Sequence, residues 1–266
     1  MSKRYERVAS AMVGTPLQTV AERLRDIKHA YDIRREPGLR NVLQEGHLTQ
    51  LLMKRYIKAD TCCIDVGCHL GVMLHQMVTL APGGTHHAFE PVPYKAAWLR
   101  RKFPTVTVHQ LALSDHDSVD QFYVNNDSSA LSALRPAEGT DVNDAISVET
   151  RCLDDVVPDD LPIGFVKIDA IGAEPLVLKG ADRLLRKHRP IVLFESSQAS
   201  LGYFDLTASM IYDYLVDDLG YQLLSLHGWS VGHPPLDRAG LDKAMEWPYE
   251  AFNFLAMPSE ERPSAA

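Results

Sequence analysis

The chain has 266 residues, a net charge of −8 and 45% hydrophobic residues. Its 16 glycines and 16 prolines exclude a collagen-like or low-complexity chain. A negative net charge is the wrong sign for general nucleic-acid binding, so a nucleic-acid partner is not expected. The length favours one hydrophobic core with some additions.

Cysteine usage and apolar runs indicate the compartment. The chain has four cysteines, of which Cys62 and Cys63 are adjacent, and this pattern predicts neither a disulfide framework nor a paired zinc site. We interpret them as buried thiols in a reducing cytoplasm. No apolar run approaches the roughly 18 residues of a membrane helix, and the first residues do not resemble a secretory signal. A cytoplasmic protein without an integral membrane segment is therefore expected.

The first 40 residues differ from the rest in charge. They carry a net charge of +4 and the remainder −12, which indicates a solvated helical face or, less readily, a contact with an anionic substrate or membrane surface. Thr15 is a candidate N-cap with Pro16 at the first helical position, and this helix should end near residues 36–38. Apolar residues recur at helical spacing: Leu17, Val20, Leu24, Ile27 and Tyr31. A second helix is predicted over 46–57.

Beyond this extension, short apolar runs alternate with helical segments. The predicted strands are 62–67, 85–90, 106–113, 164–169, 190–195, 221–226 and 252–257. The predicted helices between them are 71–80, 93–102, 173–187 and 207–218. This alternation predicts an α/β fold with a doubly wound, mostly parallel seven-stranded sheet covered on both faces. No helix is predicted between the last two strands, so they should be antiparallel neighbours at an edge. We divide the chain into a helical extension (1–58), a main domain (59–258) and a disordered tail (259–266).

One long polar stretch, residues 125–147, interrupts the alternation. Loops of this length inside a compact domain are uncommon and are usually functional or disordered. Strand-like runs flank it on both sides. We therefore interpret it as a lid or substrate loop.

The end of the first strand has the pattern acid-x-Gly-x-x-x-Gly, formed by Asp65, Gly67 and Gly71, with Cys68 and His69 between the glycines. The glycines allow a tight turn against a ligand, and the following helix N-terminus offers N–H groups to a carboxylate. An acid in place of the first glycine of a dinucleotide fingerprint would repel a pyrophosphate but suits a ligand with an ammonium group.

The second strand ends in Glu90-Pro91, where an acid can accept hydrogen bonds from both hydroxyls of a ribose; the alternative is a surface glutamate that caps the next helix. A carboxylate, an amine and a ribose together describe S-adenosylmethionine. At the third strand, Ala112, Leu113 and Ser114 are placed to bracket an adenine ring, or else they turn into a hairpin.

Two acids end the fourth and fifth strands. Asp169 lies where the transferable methyl group should sit and is a candidate general base; its alternative role is a helix N-cap. Glu195, followed by serines, is a second candidate catalytic acid that would bind the hydroxyls of a sugar or polyol. No set of side chains has metal-ligand spacing, and Mg²⁺ held by Asp169 and Glu195 is possible but not predicted.

The segments CCIDVGCHLGVML, HAFEPVP and IDAIGAEPLVLKGA resemble the FkbM family of S-adenosylmethionine-dependent methyltransferases over about residues 60–257. The resemblance implies a class I methyltransferase fold and methylation of a hydroxyl on a sugar, glycolipid or polyketide-like metabolite. It implies cofactor roles for Asp65, Gly67, Gly71 and Glu90, and an active-site role for Asp169. Ser129 and Ser132 of the polar loop, with Glu174 of the third segment, are the candidate substrate residues.

The chain departs from this family at two positions. His69 replaces a usual asparagine, and Ile171 replaces a usual glutamate, which removes an acid near the acceptor. Two rival functions therefore remain: a methyltransferase-like protein that binds the cofactor without catalysis, and a nicotinamide-dependent oxidoreductase, which Asp65 argues against. The extension would cap the acceptor pocket or form a homodimer contact.

Overall fold

The computed structural model describes residues 11–35, 40–125, 132–135, 144–247 and 249–259. The strands are β1 (Cys62–Val66), β2 (His86–Phe89), β3 (Thr107–His109), β4 (Ala112–Leu113), β5 (Ser118–Val124), β6 (Asp144–Arg151), β7 (Ile163–Ile168), β8 (Ile191–Glu195), β9 (Tyr221–Ser225) and β10 (Asn253–Pro258). The helices are α1 (Pro16–Arg35), α2 (Arg40–Tyr56), α3 (Val72–Leu80), α4 (Pro93–Lys102), α5 (Leu153–Val156), α6 (Glu174–Lys179), α7 (Asp182–His188), α8 (Gln198–Gly202), α9 (Ala208–Tyr212, continued by a π-helical turn, Asp213–Asp218), α10 (Leu226–Val231) and α11 (Arg238–Ala244).

Seven strands form the main sheet, in the order β3-β2-β1-β7-β8-β10-β9. All neighbours are parallel except β10, which is antiparallel to both β8 and β9. This architecture confirms the predicted doubly wound, seven-stranded fold. Because the strand order reverses between β1 and β7, a crevice opens at the carboxyl ends of these two strands, where such sheets bind ligands.

Both faces of the sheet are buried. Since successive side chains of a strand point to opposite faces, one strand contributes to two core clusters. Ile64 and Val66 of β1 belong to the larger core cluster, with helices α6, α7 and α9. Cys63 of the same strand belongs to a second cluster, on the opposite face. Strand β1 is buried at all five positions, as is typical of a parallel sheet covered on both sides.

Helix α2 is one layer of this structure, although it falls within the predicted extension. Leu52, Met53 and Ile57 are at most 3% exposed and join the second cluster. By contrast, Leu17 and Leu24 of α1 are about 60% exposed (59% and 63%). The spacing of apolar residues predicted the α1 helix correctly, but this apolar stripe does not pack into the core.

Two predicted elements are divided in the structure. The strand predicted over 106–113 divides into β3 and β4, and β4 belongs to a second sheet of order β4-β6-β5. The helix predicted over 173–187 is two helices with Gly180 between them, where a Cβ atom would lie 2.0 Å from the carbonyl oxygen of Ser114. Close backbone contact at this junction explains the break.

The last two strands are antiparallel, as predicted, but the prediction that no helix lies between them is wrong. Helices α10 and α11 lie there. Their N-caps were visible in the sequence: Ser225 accepts a hydrogen bond from the amide of Gly228, and Asp237 from that of Gly240. Within the described ranges, no helix combines the length and apolar character needed to cross a bilayer.

Candidate functional site

Two cavities meet at the carboxyl ends of the strands. Cavity 1, of about 210 Å³, is bounded by the ends of β1, β2, β4 and β7. Cavity 2, of about 260 Å³, is bounded by the loops after β7 and β8 and by residues 249–252. Asp169 and Ile171 line both cavities. A ligand in each cavity would therefore meet the other at Asp169.

The structure brings most of the predicted site residues to this place. Cavity 1 is lined by eight of them: Gly67, His69, Glu90, Pro91, Ala112, Leu113, Ser132 and Asp169. Glu174 and Glu195 line cavity 2. Four others line neither cavity: Asp65, Cys68, Gly71 and Ser114. Ser129 lies outside the described residues.

Gly67 makes the contact between the loops after β1 and β7 possible. Its backbone is left-handed, with φ of +69°, and a Cβ atom would lie 2.0 Å from the carbonyl oxygen of Asp169. Its amide donates a hydrogen bond of 3.0 Å to the carbonyl of Phe89. Glycine is therefore required here by conformation and by space. Gly71, also left-handed, has a different neighbourhood, since a Cβ atom there would touch the side chains of Leu99 and Phe103.

Glu90 links the two loops beside cavity 1. Its Oε2 accepts a hydrogen bond from the amide of His69 (2.9 Å) and its Oε1 one from that of Val92 (3.0 Å). Burial raises the pKa of Glu90 and the nearby Lys95 ammonium lowers it; burial has the larger effect, and the resulting pKa is about 7. Because each carboxylate oxygen has a second lone pair, Glu90 retains capacity to accept hydrogen bonds from a ligand.

His69 has a left-handed backbone, with φ of +49°. Asparagine and histidine are both enriched in this conformation, which explains how histidine replaces the usual asparagine. Burial, then Lys95 and Lys167, lower the pKa of His69 to about 4. Its imidazole is therefore neutral at the wall of cavity 1.

Lys167 joins the ends of β1 and β7. Its Nζ lies 3.3 Å from Oδ2 of Asp169 and 3.8 Å from Oδ1 of Asp65. Burial lowers the pKa of Lys167, but the carboxylates of Asp169 and Asp65 raise it, and the net shift is upward. Lys167 was missed by the sequence analysis, as was Lys95, which is 1% exposed and lines cavity 1. For Lys167 the available signal was a lysine within an otherwise apolar strand, since buried lysines need a charged partner.

Asp169 lies at the boundary of the two cavities. Its amide donates to the carbonyl of Val66 (3.1 Å), and its Oδ1 is buried without a hydrogen-bond partner among the described residues. The alternative role as a helix N-cap is wrong, because α6 begins after Ala173 and has no side-chain cap. The carboxylate is therefore available to a ligand.

Glu174 holds the loop that follows Asp169. Its carboxylate accepts hydrogen bonds from the amides of Ala170 and Gly172, and burial raises its pKa to about 8. In this loop Ile171 has φ of +47°, a conformation that costs a β-branched residue about 1–2 kcal/mol. Glu174 shapes the boundary of the cavities through its own backbone contacts, and its predicted contact with substrate stays a prediction.

Cavity 2 combines acids, hydroxyls and aromatic rings. Burial, and then the charge of Asp169, raise the pKa of Glu195. Ser196 is 2% exposed, and its Oγ has no hydrogen-bond partner. The rings of Tyr249 and Phe252 lie 4.3 Å apart at the wall. Such a lining suits a ligand with several hydroxyl groups and apolar ring faces.

The wall of cavity 2 also depends on α2. Glu45 of this helix is 5% exposed and accepts hydrogen bonds from the amides of Phe252 (2.9 Å) and Asn253 (3.1 Å) and from Nδ2 of Asn253 (2.8 Å). Asn253 is paired with Glu195 across β10 and β8. A helix of the predicted extension thus fixes one side of cavity 2.

Metal-ligand geometry occurs elsewhere in the described chain. Asp117, Cys152 and Asp155 form a group with ligand atoms within 4.8 Å of one another, outside both cavities. Asp117 is already bound there by Arg151 Nε at 2.9 Å.

Buried carboxyl groups predict a pH-dependent stability. Burial raises the pKa values of five of them. The pKa of Glu195 is one of these, and the other four are raised to about 6 for Asp65, about 7 for Glu45 and Glu90, and about 8 for Glu174. Each binds its proton more tightly when folded, so its contribution is present below the unfolded pKa and is lost as pH rises through the folded value. Histidines whose pKa is lowered in the folded protein make stability increase with pH, but this increase is complete above about pH 6.5. We expect the melting temperature to fall between about pH 6.5 and about pH 8.5.

Calorimetry at constant ionic strength measures this slope of the melting temperature against pH. The Glu174→Gln variant should flatten it, because Glu174 has the highest of the four values. A melting temperature that stays constant or rises over this interval contradicts the assignment.

A family model and several solved structures match this chain. Residues 65–223, more than half of the chain, match the family model described as methyltransferase FkbM domain. No curated protein matches the chain. Among solved structures, methyltransferase FkbM from Methylobacillus flagellatus KT is 20% identical, with a TM-score of 0.46 over 75% of this chain and 44% of that one. The chain thus spans less than half of that protein.

Two further solved structures are similar. Precorrin-6y C5,15-methyltransferase from Geobacter metallireducens GS-15 is 16% identical, with a TM-score of 0.39 over 68% of this chain and 73% of that one. A SAM dependent methyltransferase from Aquifex aeolicus is 11% identical, with a TM-score of 0.41 over 79% and 87%. The family match, which begins at Asp65 and includes Glu90, Asp169 and Glu195, identifies the chain as a member of the FkbM methyltransferase family.

Proposed function

We propose that this protein transfers a methyl group from S-adenosylmethionine to a hydroxyl oxygen of a sugar, glycolipid or polyketide-like metabolite, with Asp169 as general base. The observation that carries the proposal is the unpartnered Oδ1 of Asp169, buried where cavities 1 and 2 meet. A carboxylate in that position lies within reach of ligands on both sides. The non-catalytic and oxidoreductase alternatives become outcomes of the tests below.

Cavity 1 fits the cofactor on two observations. Glu90 is buried at its wall with lone pairs left for the hydroxyls of a ribose, and Gly67 keeps the wall free of a side chain. Ala112 and Leu113 provide an apolar surface for a base. When bound, S-adenosylmethionine supplies an electrophilic methyl group on a sulfonium sulfur.

Cavity 2 would hold the acceptor. Ser196 and Glu195 would bind its hydroxyls, and Tyr249 and Phe252 would contact its ring faces. Asp169 would take the proton of the reacting hydroxyl, and S-adenosylmethionine held in cavity 1 would supply the methyl group to the hydroxyl oxygen, with the electron pair of the carbon–sulfur bond left on sulfur. Alignment of oxygen and methyl carbon, with general-base assistance, lowers the barrier.

Removing the carboxylate of Glu90 should weaken cofactor binding. We expect Glu90→Ala to raise the Kd for S-adenosylmethionine by about 10- to 100-fold, because hydrogen bonds to a charged group contribute about 1.5–3 kcal/mol. The measurement is isothermal titration calorimetry of the purified variant.

The exposed Glu246 supplies the matched control, since Glu246→Ala removes a carboxylate far from cavity 1 and should leave the Kd unchanged. Equal affinity in wild type and Glu90→Ala removes the ribose role. Titration of the wild type with NAD in parallel separates the oxidoreductase alternative, for which NAD would bind in place of S-adenosylmethionine.

The function is tested with acceptors. The wild type is incubated with S-adenosylmethionine and, separately, with defined monosaccharides and with extracted glycolipids, and formation of S-adenosylhomocysteine is followed. We expect formation that depends on the acceptor and is lost in Asp169→Asn. Cofactor binding without transfer to any of these hydroxyl compounds would instead favour the non-catalytic alternative.

A further inference from the structure

We propose that Asp65, Lys167 and Asp169 form a buried carboxylate–ammonium–carboxylate chain in which Lys167 is a positioning residue for the general base. The proposal rests on the proposed function, because it assigns a task to the residue that holds Asp169. It also gives Asp65 a partner within the protein rather than on the cofactor.

The pairing of two strands creates the chain. Asp65 on β1 and Lys167 on β7 are direct partners in the parallel register of these strands. Asp169 follows Lys167 by two residues. Their side chains therefore emerge on the same side of the sheet, at the crevice between β1 and β7.

The ammonium group has few orientations open to it. Its Nζ lies 3.4 Å from the carbonyl oxygens of both Val66 and Gly67, and 3.3 Å from Oδ2 of Asp169. A lysine ammonium has three N–H donors, and these three acceptors account for all of them. Lys167 thereby ties Asp169 to the loop that contains Gly67.

Asp65 supplies the balancing charge. It is fully buried, and among the described residues the cation paired with it is Lys167, whose Nζ lies 3.8 Å from its Oδ1. The acid-x-Gly pattern indicated an ammonium group near Asp65. The structure supplies one from Lys167, since Asp65 lines neither cavity.

This arrangement distinguishes the two oxygens of Asp169. Oδ2 is engaged by Lys167, whereas Oδ1 is buried and unpartnered. Lys167 thus assigns Oδ1 to the acceptor hydroxyl, from which it takes the proton. The acids that also face Asp169 are Glu174 and Glu195, and Lys167 offsets the charge of Glu195.

The test uses variants that keep the fold. Lys167→Met alone leaves Asp65 as an uncompensated buried charge and is expected to be unstable. The double variant Asp65→Asn/Lys167→Met removes both charges together. Lys167→Arg keeps a cation, and Lys54→Met, at an exposed position on α2, is the matched control. The double variant, Lys167→Arg and Lys54→Met are each assayed for S-adenosylmethionine affinity by calorimetry. Their turnover is measured with the acceptor preparation that supports transfer by the wild type.

We expect the double variant to bind S-adenosylmethionine within about threefold of the wild type and to turn over about 10- to 100-fold more slowly. Lys167→Arg should restore part of the turnover, and Lys54→Met should behave as the wild type.

Asp169→Asn, assayed in parallel, separates this proposal from the proposed function. If Asp169→Asn is inactive while the double variant has wild-type turnover, the role of Lys167 is wrong and the general base stands. Full turnover in Asp169→Asn removes the base itself, and with it the task assigned to Lys167.

Discussion

Gly67→Ala is expected to lose cofactor binding and to destabilise the fold by more than about 4 kcal/mol, the range of exceptional single substitutions. The Cβ atom of an alanine would lie 2.0 Å from the carbonyl oxygen of Asp169, and this neighbour is backbone that cannot rotate away. The loops after β1 and β7 would have to separate, and cavity 1 would change shape with them. Urea denaturation and calorimetric titration with S-adenosylmethionine measure the two effects.

Gly232 offers a matched control. Its φ of +74° is close to the +69° of Gly67, but a Cβ atom there would have nothing within 4 Å. Gly232→Ala should therefore cost only the left-handed conformation, about 1–2 kcal/mol, and leave cofactor binding intact. If the two variants are equally stable, the close contact with Asp169 is not the reason for glycine at position 67.

Asp169→Asn is expected to lower turnover by about 10²- to 10⁴-fold while the Kd for S-adenosylmethionine changes by less than about threefold. Asparagine has nearly the same shape, and the backbone contact between Asp169 and Val66 remains. What disappears is the proton acceptor at Oδ1. Turnover at saturating cofactor, together with calorimetric affinity, separates loss of chemistry from loss of binding.

The exposed Asp160 gives the control for this substitution. Asp160→Asn changes the same side chain away from both cavities and should retain wild-type turnover. Unchanged turnover in Asp169→Asn would show that no general base acts through this carboxylate. Loss of cofactor affinity together with turnover would instead make Asp169 a binding residue.

The fold was predictable because its signals are local. The apolar run that begins at Cys62 is buried at every position of β1, and the alternation of strands and helices implied the parallel sheet. Glu90 and Asp169 were found because parallel strands place their carboxyl ends at one edge. Such reasoning needs only the order of elements and the residue that ends each strand.

The remaining features depend on contacts between distant segments. The partner of Lys167 became visible only when β1 and β7 were paired, since Asp65 lies about 100 positions earlier in the chain. Glu45 reaches Phe252 across 207 positions. The break at Gly180 reflects its contact with the backbone of Ser114. No local pattern predicts these contacts, because each is fixed by packing.

The departures from the family pattern have local physical descriptions. His69 occupies a left-handed position that asparagine also tolerates, so the backbone is preserved there. Ile171 occupies one that a β-branched side chain adopts only with strain, at the boundary of both cavities. At position 171 the chain thus has an apolar side chain next to Asp169 where the family usually has an acid.

The central claim is transfer of a methyl group to a hydroxyl oxygen, and the labelled product tests it most directly. The wild type is incubated with S-adenosylmethionine carrying a ¹³C-methyl group and with sugar and glycolipid acceptors, and the product is analysed by mass spectrometry and ¹³C NMR. We predict one added methyl group whose carbon has the chemical shift of a methoxy group. A label on nitrogen or carbon, or a cofactor that binds without giving any labelled product, would contradict the account.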